Sequence, residues 1–180
     1  LLNRINEYPC LDELSSIYQE KEFKLFLVGG AVRDFILDID TTDFDFTTNA
    51  SPEESLKLLN ENGFRTTKIG ITYGTIEALI DEHTAHIPPF RSDTDDKDSR
   101  KPNIDKTEDI EQDLIRRDFT LNSIAFDIKQ KELLDPCNGL KDLSEGLLKI
   151  PADPNISFSE DPLRMIRLCR FISSHGFAPI

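Results

Sequence analysis

The sequence contains no tryptophan, one methionine and only three cysteines. Cys10, Cys137 and Cys169 are widely spaced and odd in number, which excludes a disulfide framework and argues against a cysteine-rich zinc site. Free thiols favour a reducing compartment, and we expect the cytoplasm. No apolar run approaches the length of a membrane span, and the first residues do not resemble a secretory signal, so no membrane partner is expected.

Basic residues are also scarce. The chain has 21 Lys and Arg against 34 Asp and Glu, for a net charge of −13. This balance argues against a generally basic nucleic-acid-binding surface, so any RNA contact must be local or lie outside this chain. With 180 residues, 38% of them hydrophobic and 31% charged, the chain has the composition of one globular domain with room for the start of a second.

Two aspartates flank a phenylalanine in the most informative segment. Side chains alternate along a strand, so Asp43 and Asp45 would share one face while Phe44 and Phe46 turn into the core. Paired carboxylates repel each other unless a cation lies between them, and Mg²⁺ prefers a few carboxylate oxygens plus substrate phosphates. The pattern favours metal-assisted phosphoryl or nucleotidyl transfer. Alone, an Asp-x-Asp pattern is more often a solvated strand face or a turn.

A Gly-Gly pair stands upstream of these aspartates. Residues 26–28 predict a short buried strand and residues 31–39 a helix, with Gly29 and Gly30 in the turn between them. Glycine lets backbone N–H groups approach an anion closely, and a helix N-terminus adds partial positive charge. Arg33, in the first turn, could reach the same phosphates. A tight turn without a ligand is the alternative.

The segment 116–122 brings two cations, an anion and an amide together. Arg116 and Arg117 suit a triphosphate, while Asp118 and Asn122 suit ribose hydroxyl groups. The alternative is an ion-pair cluster that joins a helix to the sheet.

A helix is predicted after Asp161, which would cap it before Pro162. One face of this helix carries apolar residues at helical spacing: Met165, Leu168, Cys169 and Ile172. The opposite face carries three arginines: Arg164, Arg167 and Arg170. Arginines in line behind a carboxylate are typical of a site that binds anions and base edges, although arginines on helices are usually solvated.

Together these segments resemble the head domain of the CCA-adding tRNA nucleotidyltransferase and bacterial poly(A) polymerase family, class II of the nucleotidyltransferase superfamily. Four segments match in order: 29–34, 43–45, 116–122 and 160–171. The resemblance implies an α/β (α+β) fold, in which a small mixed β-sheet is packed by helices. Residues 1–150 would form the catalytic head and residues 151–180 the first part of an all-α neck, whereas the family's body and tail domains are missing from this chain.

The resemblance also implies an enzyme, a template-independent nucleotidyltransferase that adds CMP or AMP to a tRNA or other RNA 3′ end from CTP and ATP. Asp43 and Asp45 would be catalytic and would hold two Mg²⁺ ions. The implied nucleotide-binding residues are Gly29, Gly30, Arg33, Arg117, Asp118, Asn122, Asp161, Arg164, Arg167 and Arg170. CC-only, A-only and poly(A) addition remain open, as does a catalytically degenerate module that binds nucleotide or RNA.

The sequence departs from the family pattern at one position near the expected metal site. His86 stands where the family usually has an acidic residue, and two prolines follow where small residues are usual. Three nearby acids could substitute for the missing one: Glu77, Asp81 and Glu82. Prolines lack a backbone N–H, which suits an edge strand or a bulge. Residues 91–113 are highly charged and predict a mobile loop, in which 98–102 resembles a family segment linked to switching between C and A addition.

Overall fold

Short helices and strands alternate along the chain, and the computed structural model describes them over residues 1–70, 74–92, 105–106 and 109–180. The α-helices in these ranges are α1 (Leu2–Asn6), α2 (Pro9–Gln19), α3 (Gly29–Ile36), α4 (Pro52–Glu61), α5 (Ile110–Ile115), α6 (Gly139–Glu145), α7 (Pro154–Glu160) and α8 (Leu163–His175). The strands are β1 (Leu25–Val28), β2 (Asp43–Thr48), β3 (Arg65–Gly70), β4 (Thr75–Ile80), β5 (His83–Ile87), β6 (Arg91–Ser92), β7 (Asp105–Lys106), β8 (Ala125–Asp127), β9 (Glu132–Leu134), β10 (Leu147–Leu148) and β11 (Ala178–Pro179). None of the helices described is long and apolar enough to cross a membrane.

Seven strands form one mixed sheet in the order β3-β4-β5-β2-β1-β8-β9. The β2–β5 pair is parallel and the other neighbours are antiparallel. Strand β2 therefore lies in the centre of the sheet, between β5 and β1. This architecture confirms the predicted α/β (α+β) class with a mixed sheet packed by helices.

The sheet is buried on both faces at β1. Leu25 and Leu27 join the main core with residues of α2, α3 and α4, whereas Phe26 and Val28 belong to a second cluster that includes Leu114 of α5. This alternation follows from the two-residue period of a strand. Helix α5 is thereby held against the sheet, which fixes the start of the segment that carries the paired arginines.

Strand β2 forms as predicted, and helix α4 follows it along the chain. Phe44 and Phe46 are 0% and 1% exposed, so the intervening aspartates face away from the core. At α4, Ser51 accepts a hydrogen bond from the backbone of Glu54, whose carboxylate accepts one from the backbone of Ser51. This reciprocal capping satisfies two backbone donors that the helix itself cannot.

Some element boundaries differ from the sequence prediction. Helix α3 begins at Gly29 and ends at Ile36, so the glycines are its first residues and Ile39, at 43% exposure, lies beyond it. Helices α1 and α7 were not predicted. The predicted loop over 91–113 is partly wrong, because β6 pairs with β7 and α5 begins at Ile110. The rest of that loop, including 98–102, lies outside the described residues.

Gly139, the first residue of α6, packs directly on the 3₁₀ turn Thr120–Asn122. A Cβ atom at this position would lie 2.0 Å from the Thr120 carbonyl oxygen and 2.9 Å from Cγ1 of Ile124. The Thr120 hydroxyl also donates to Oδ2 of Asp142 on α6, at 2.6 Å. Helix α6 therefore supports the turn that carries Asn122.

Replacing Gly139 by alanine should lower the free energy of unfolding by about 1 to 3 kcal/mol, because backbone atoms must move to admit the methyl group. Urea denaturation measures this loss. Lys141→Ala, an exposed change on the same helix, is the control and should be nearly neutral. Equal stability of the two variants would contradict the close packing of α6 on the turn.

Candidate nucleotide and metal site

Asp43 and Asp45 project from β2 on the face opposite the phenylalanine core. Asp43 is exposed, and the Asp45 side chain is 48% exposed. Asp45 faces the start of α3, since a Cβ atom built on Gly29 would lie 3.6 Å from its Oδ2. The two carboxylates therefore stand at the surface beside a helix N-terminus, as the sequence predicts.

Gly29 needs to be glycine for two reasons. Its φ of +66° is in the left-handed region, which strains other residues, and a Cβ atom would lie 3.2 Å from Nη1 of Arg117. The first N–H groups of an α-helix have no intrahelical partner and bind anions readily. The geometry at Gly29 and Gly30 thus leaves backbone donors beside Asp45 and Arg117.

Arg33 is buried at the junction of three elements. Its Nη1 donates to Oδ1 of Asn122 at 2.8 Å, and its Nε donates to Oδ1 of Asp34 at 2.8 Å. The guanidinium carbon lies 5.1 Å from the ring centroid of Phe171 on α8, a cation–π contact. The side chain is therefore fixed before any ligand binds.

Arg117 is held by an acid that the sequence analysis did not single out. Asp113, which is 1% exposed, lies on α5 with Oδ2 3.0 Å from Nη2 of Arg117 and Oδ1 3.3 Å from Nη2 of Arg116. The Nε atoms of both arginines are buried and have no hydrogen-bond partner within the described part of the chain. Unused donors of this kind suit an anionic ligand. The i, i+4 spacing of Asp113 and Arg117 was the signal that could have identified the pair.

Asp118 connects the 3₁₀ turn to α8. Its Oδ1 accepts hydrogen bonds from Nδ2 of Asn122 and the backbone of Phe119, both at 2.9 Å. Its Oδ2 accepts from Nε and Nη2 of Arg167, both at 2.7 Å. The bidentate contact fixes the orientation of α8 relative to the turn.

Asp161 and Arg164 lie at the start of α8. Oδ1 of Asp161 accepts from the backbone of Leu163 at 3.0 Å, and its Oδ2 is 3.9 Å from Nε of Arg164. The predicted cap is displaced by one residue, because α8 begins at Leu163 and Pro162 is its N-cap. Arg164 also donates to the Ser157 hydroxyl and, at 2.8 Å, to the carbonyl oxygen of Arg116. These contacts hold a carboxylate and a guanidinium side by side.

A pocket of about 200 Å³ brings several predicted residues together. Its walls are Gly30, Arg33, Asp45, Asn122, Arg167, Arg170, Phe171, Ser174 and His175. The remaining predicted residues lie outside these walls: Gly29, Asp43, Arg117, Asp118, Asp161 and Arg164. A larger cleft of about 420 Å³ beside α2 and β9 has no arginine in its walls, so size alone does not mark the site.

The apolar face predicted for α8 is largely exposed in the described structure. Met165 is 48% exposed and Ile172 is 39% exposed, whereas Phe171, on the pocket side, is buried against Phe119. Helical spacing placed the arginines correctly on one face. The spacing did not reveal which residues would cover the apolar face of the helix.

His86 lies between two carboxylates in a row across three strands. Asp45 pairs with His86 on β5, and His86 pairs with Glu77 on β4. Nδ1 of His86 is 3.4 Å from Oδ1 of Asp45, and its Nε2 is 3.6 Å from Oε1 of Glu77. The contact with Asp45 raises the pKa of His86, against the effect of burial, and the charges of Glu77 and Asp43 add to it.

Glu77 is the acid that the structure brings next to His86. Asp81 and Glu82 instead occupy the turn between β4 and β5. The two prolines do not lie on an edge strand, because β5 is internal to the sheet. The prolines follow the last residue of β5. There the Thr48 N–H donates to the carbonyl oxygen of Pro88, and the Thr48 carbonyl oxygen accepts from the Phe90 N–H.

The donor set of the site fits Mg²⁺. Within the described ranges, no group of three or more acidic, histidine or cysteine side chains is arranged to hold a metal ion. Asp43 and Asp45 provide two carboxylates beside a pocket rich in arginine. Mg²⁺ is commonly held by one or two carboxylates together with substrate phosphates and water, which is the set available here.

Comparisons with known proteins agree with this geometry. The CCA-adding enzyme of Lactobacillus helveticus is 36% identical over 174 residues, which are 96% of this chain and 41% of the relative. The crystal structure of the Bacillus stearothermophilus CCA-adding enzyme in complex with CTP superposes with a TM-score of 0.83 at 28% identity, covering 97% of this chain and 40% of that one. A tRNA nucleotidyltransferase complexed with a primer tRNA and an incoming ATP analog superposes with a TM-score of 0.75 at 27% identity. The match covers 93% of this chain and 46% of that one.

The fold is that of a nucleotidyltransferase head. Residues 25–149 match the family described as the Poly A polymerase head domain, and the chain belongs to that family. The chain spans about two fifths of the length of the curated relatives that it matches.

Proposed function

We propose that this protein is a template-independent nucleotidyltransferase that adds CMP and AMP to tRNA 3′ ends from CTP and ATP with Mg²⁺. The observation that carries the proposal is the convergence of Asp45, Gly30, Arg33 and Asn122 on one pocket. Residues 1–150 form the catalytic head in this proposal, and 151–180 begin the helical neck. The free cysteines support a reducing compartment such as the cytoplasm.

Asp43 and Asp45 are the proposed metal ligands. Bound Mg²⁺ would lower the pKa of the attacking RNA 3′-hydroxyl group and stabilise charge on the leaving pyrophosphate. The exposure of both carboxylates supports this role, because substrate phosphates must complete the ligand set.

The incoming triphosphate is proposed to bind at the start of α3. Backbone N–H groups at Gly29 and Gly30, together with Arg33 and Arg117, surround this position and attract negative charge. Asn122 and Asp118 are proposed to contact the ribose. Their hydrogen bond to each other and the bond from Arg33 to Asn122 pre-position the amide, so little ordering is needed when nucleotide binds.

Asp161 and Arg164 are the proposed readers of the base edge. A carboxylate accepts hydrogen bonds and a guanidinium donates them, so together they complement bases that present donors and acceptors. Arg164 is held by Ser157 and by the Arg116 carbonyl oxygen. Arg167 and Arg170, further along α8, line the pocket.

A second candidate, a binding module without catalysis, is favoured by one observation. His86 places an imidazole, whose pKa the Asp45 carboxylate raises, where the family usually has an acid. A protonated imidazole there neutralises part of the charge that attracts metal. The retained pair Asp43 and Asp45 favours the enzyme, since a binding module has no need of two exposed carboxylates beside a phosphate pocket.

Incorporation assays test the proposal. Given tRNA that ends before CCA, after C or after CC, the protein with Mg²⁺ should add C, C and A in order from CTP and ATP. Addition of one nucleotide type, or of long A tails, would retain the enzyme class and change its specificity. Nucleotide binding without incorporation on any end would contradict the enzyme and support the module.

A further inference from the structure

The pocket wall on α8 extends beyond the residues that the sequence analysis identified. After Arg167 and Arg170, the wall continues through Ser174 and His175. Both residues stand at the end of α8, next to the positive φ of Gly176 that terminates it. No motif had indicated a role for either side chain.

The His175 ring is held in place by its neighbours. It stacks on Phe177 with ring centroids 5.3 Å apart and an 8° interplanar angle, and it lies 5.4 Å from Phe171. The Ser174 hydroxyl oxygen is 2.6 Å from Nδ1 of His175. Two ring contacts and a hydrogen bond restrict the imidazole, so a hydrogen bond to a ligand would cost little conformational entropy.

The Ser174 hydroxyl has two partners within hydrogen-bond distance. It lies 2.8 Å from the carbonyl oxygen of Arg170, which also accepts from Ser173, and 2.6 Å from Nδ1 of His175. When the hydroxyl donates to the carbonyl oxygen, Nδ1 carries the ring proton. When it donates to Nδ1, the ring proton lies on Nε2, where a neutral imidazole can donate it to a ligand.

The charges that face His175 indicate what it would bind. Burial lowers the pKa of His175, Arg33 of α3 and Arg170 of α8 lower it further, and Asp34 opposes them. Two guanidinium groups close enough to act on the ring would draw an anion toward the same position. The groups around His175 therefore suit phosphate oxygens as a ligand, not a nucleobase.

We propose that in the nucleotide complex Ser174 donates to Nδ1 of His175, and that His175 donates a hydrogen bond from Nε2 to the triphosphate of the incoming nucleotide. This inference rests on the proposed function of the pocket. It assigns His175 a contact that CTP and ATP share, so the residue contributes affinity for triphosphate without distinguishing the bases.

Calorimetric titration with CTP, ATP, CMP and AMP in the presence of Mg²⁺ tests this contact. His175→Phe retains an aromatic ring and removes the donor, so Kd should rise about tenfold. The factor should be the same for CTP and for ATP. CMP and AMP should bind the variant and the native protein equally. Ser174→Ala should raise Kd for both triphosphates by about threefold.

Ser144→Ala is the matched control, because the exposed Ser144 hydroxyl also donates to a helix carbonyl, that of Lys141 on α6, and does not line the pocket. Thermal unfolding of each variant establishes that it is folded. Unchanged affinity in His175→Phe, or a loss that differs between CTP and ATP or extends to CMP and AMP, would overturn the inference. Failure of the native protein to bind either triphosphate would overturn the proposed function and this inference with it.

Discussion

Asp45→Asn should reduce nucleotide incorporation by on the order of a thousandfold, which corresponds to about 4 kcal/mol of transition-state stabilisation. Asparagine has nearly the same size, so the strand and its phenylalanine core should be unaffected. The amide carries no negative charge, and it places N–H groups where a cation would bind. It also removes the carboxylate that lies closest to His86.

Single-turnover incorporation with saturating nucleotide measures the effect of Asp45→Asn, and titration with Mn²⁺ monitored by paramagnetic relaxation should show weaker metal binding. Asp38→Asn is the matched control. The Asp38 side chain is 83% exposed, and asparagine tolerates its left-handed φ of 59°. Asp45→Asn with the activity of this control would contradict the assignment of Asp45 as a metal ligand.

The parts of the site that follow local rules were predictable. Alternation along β2 fixed which side of the strand Asp43 and Asp45 occupy, and burial of Phe44 and Phe46 confirms it. Helical spacing likewise placed Arg167 and Arg170 on one face of α8. These are properties of a single element, so the sequence contains the information needed to infer them.

Contacts between distant elements were not predictable from local pattern. Arg33 and Asn122 are 89 positions apart, yet they share a hydrogen bond. The row Asp45, His86 and Glu77 depends on the register of three strands, which is set by the whole sheet. His175 is in the pocket because α8 packs across Phe119, a tertiary contact that no motif encodes.

The site depends on contacts between α8 and the head. Asp118 binds Arg167 of α8, and the Arg33 guanidinium of α3 lies over the ring of Phe171 on α8. Charged side chains therefore link α8 to the 3₁₀ turn and to α3. A change in the position of α8 would therefore alter the proposed triphosphate contacts and the proposed base contacts together. We expect binding of the triphosphate and selection of the base to be coupled for this reason.

Asp113→Asn should lower the free energy of unfolding by about 3 to 5 kcal/mol, the range for removing one partner of a buried ion pair. The side chain is 1% exposed and faces both Arg116 and Arg117, while Oδ1 accepts from the backbone of Arg91 at 3.1 Å. Asparagine removes the negative charge that faces both arginines. Two partly buried guanidinium groups would then repel each other without this carboxylate between them.

Urea denaturation measures the loss in Asp113→Asn, with Glu111→Gln as the matched control, since it removes one charge from an exposed position on the same helix. The double variant Asp113→Asn with Arg117→Gln should recover part of the lost stability, because it removes one of the two repelling cations. Affinity for CTP should fall in the single variant even at temperatures where it is folded, since Arg117 loses the contact that aims it at Gly29. If Asp113→Asn is no less stable than Glu111→Gln, Asp113 does not organise the arginines, and the rigidity of the phosphate side must arise from Arg33 and Asn122 alone.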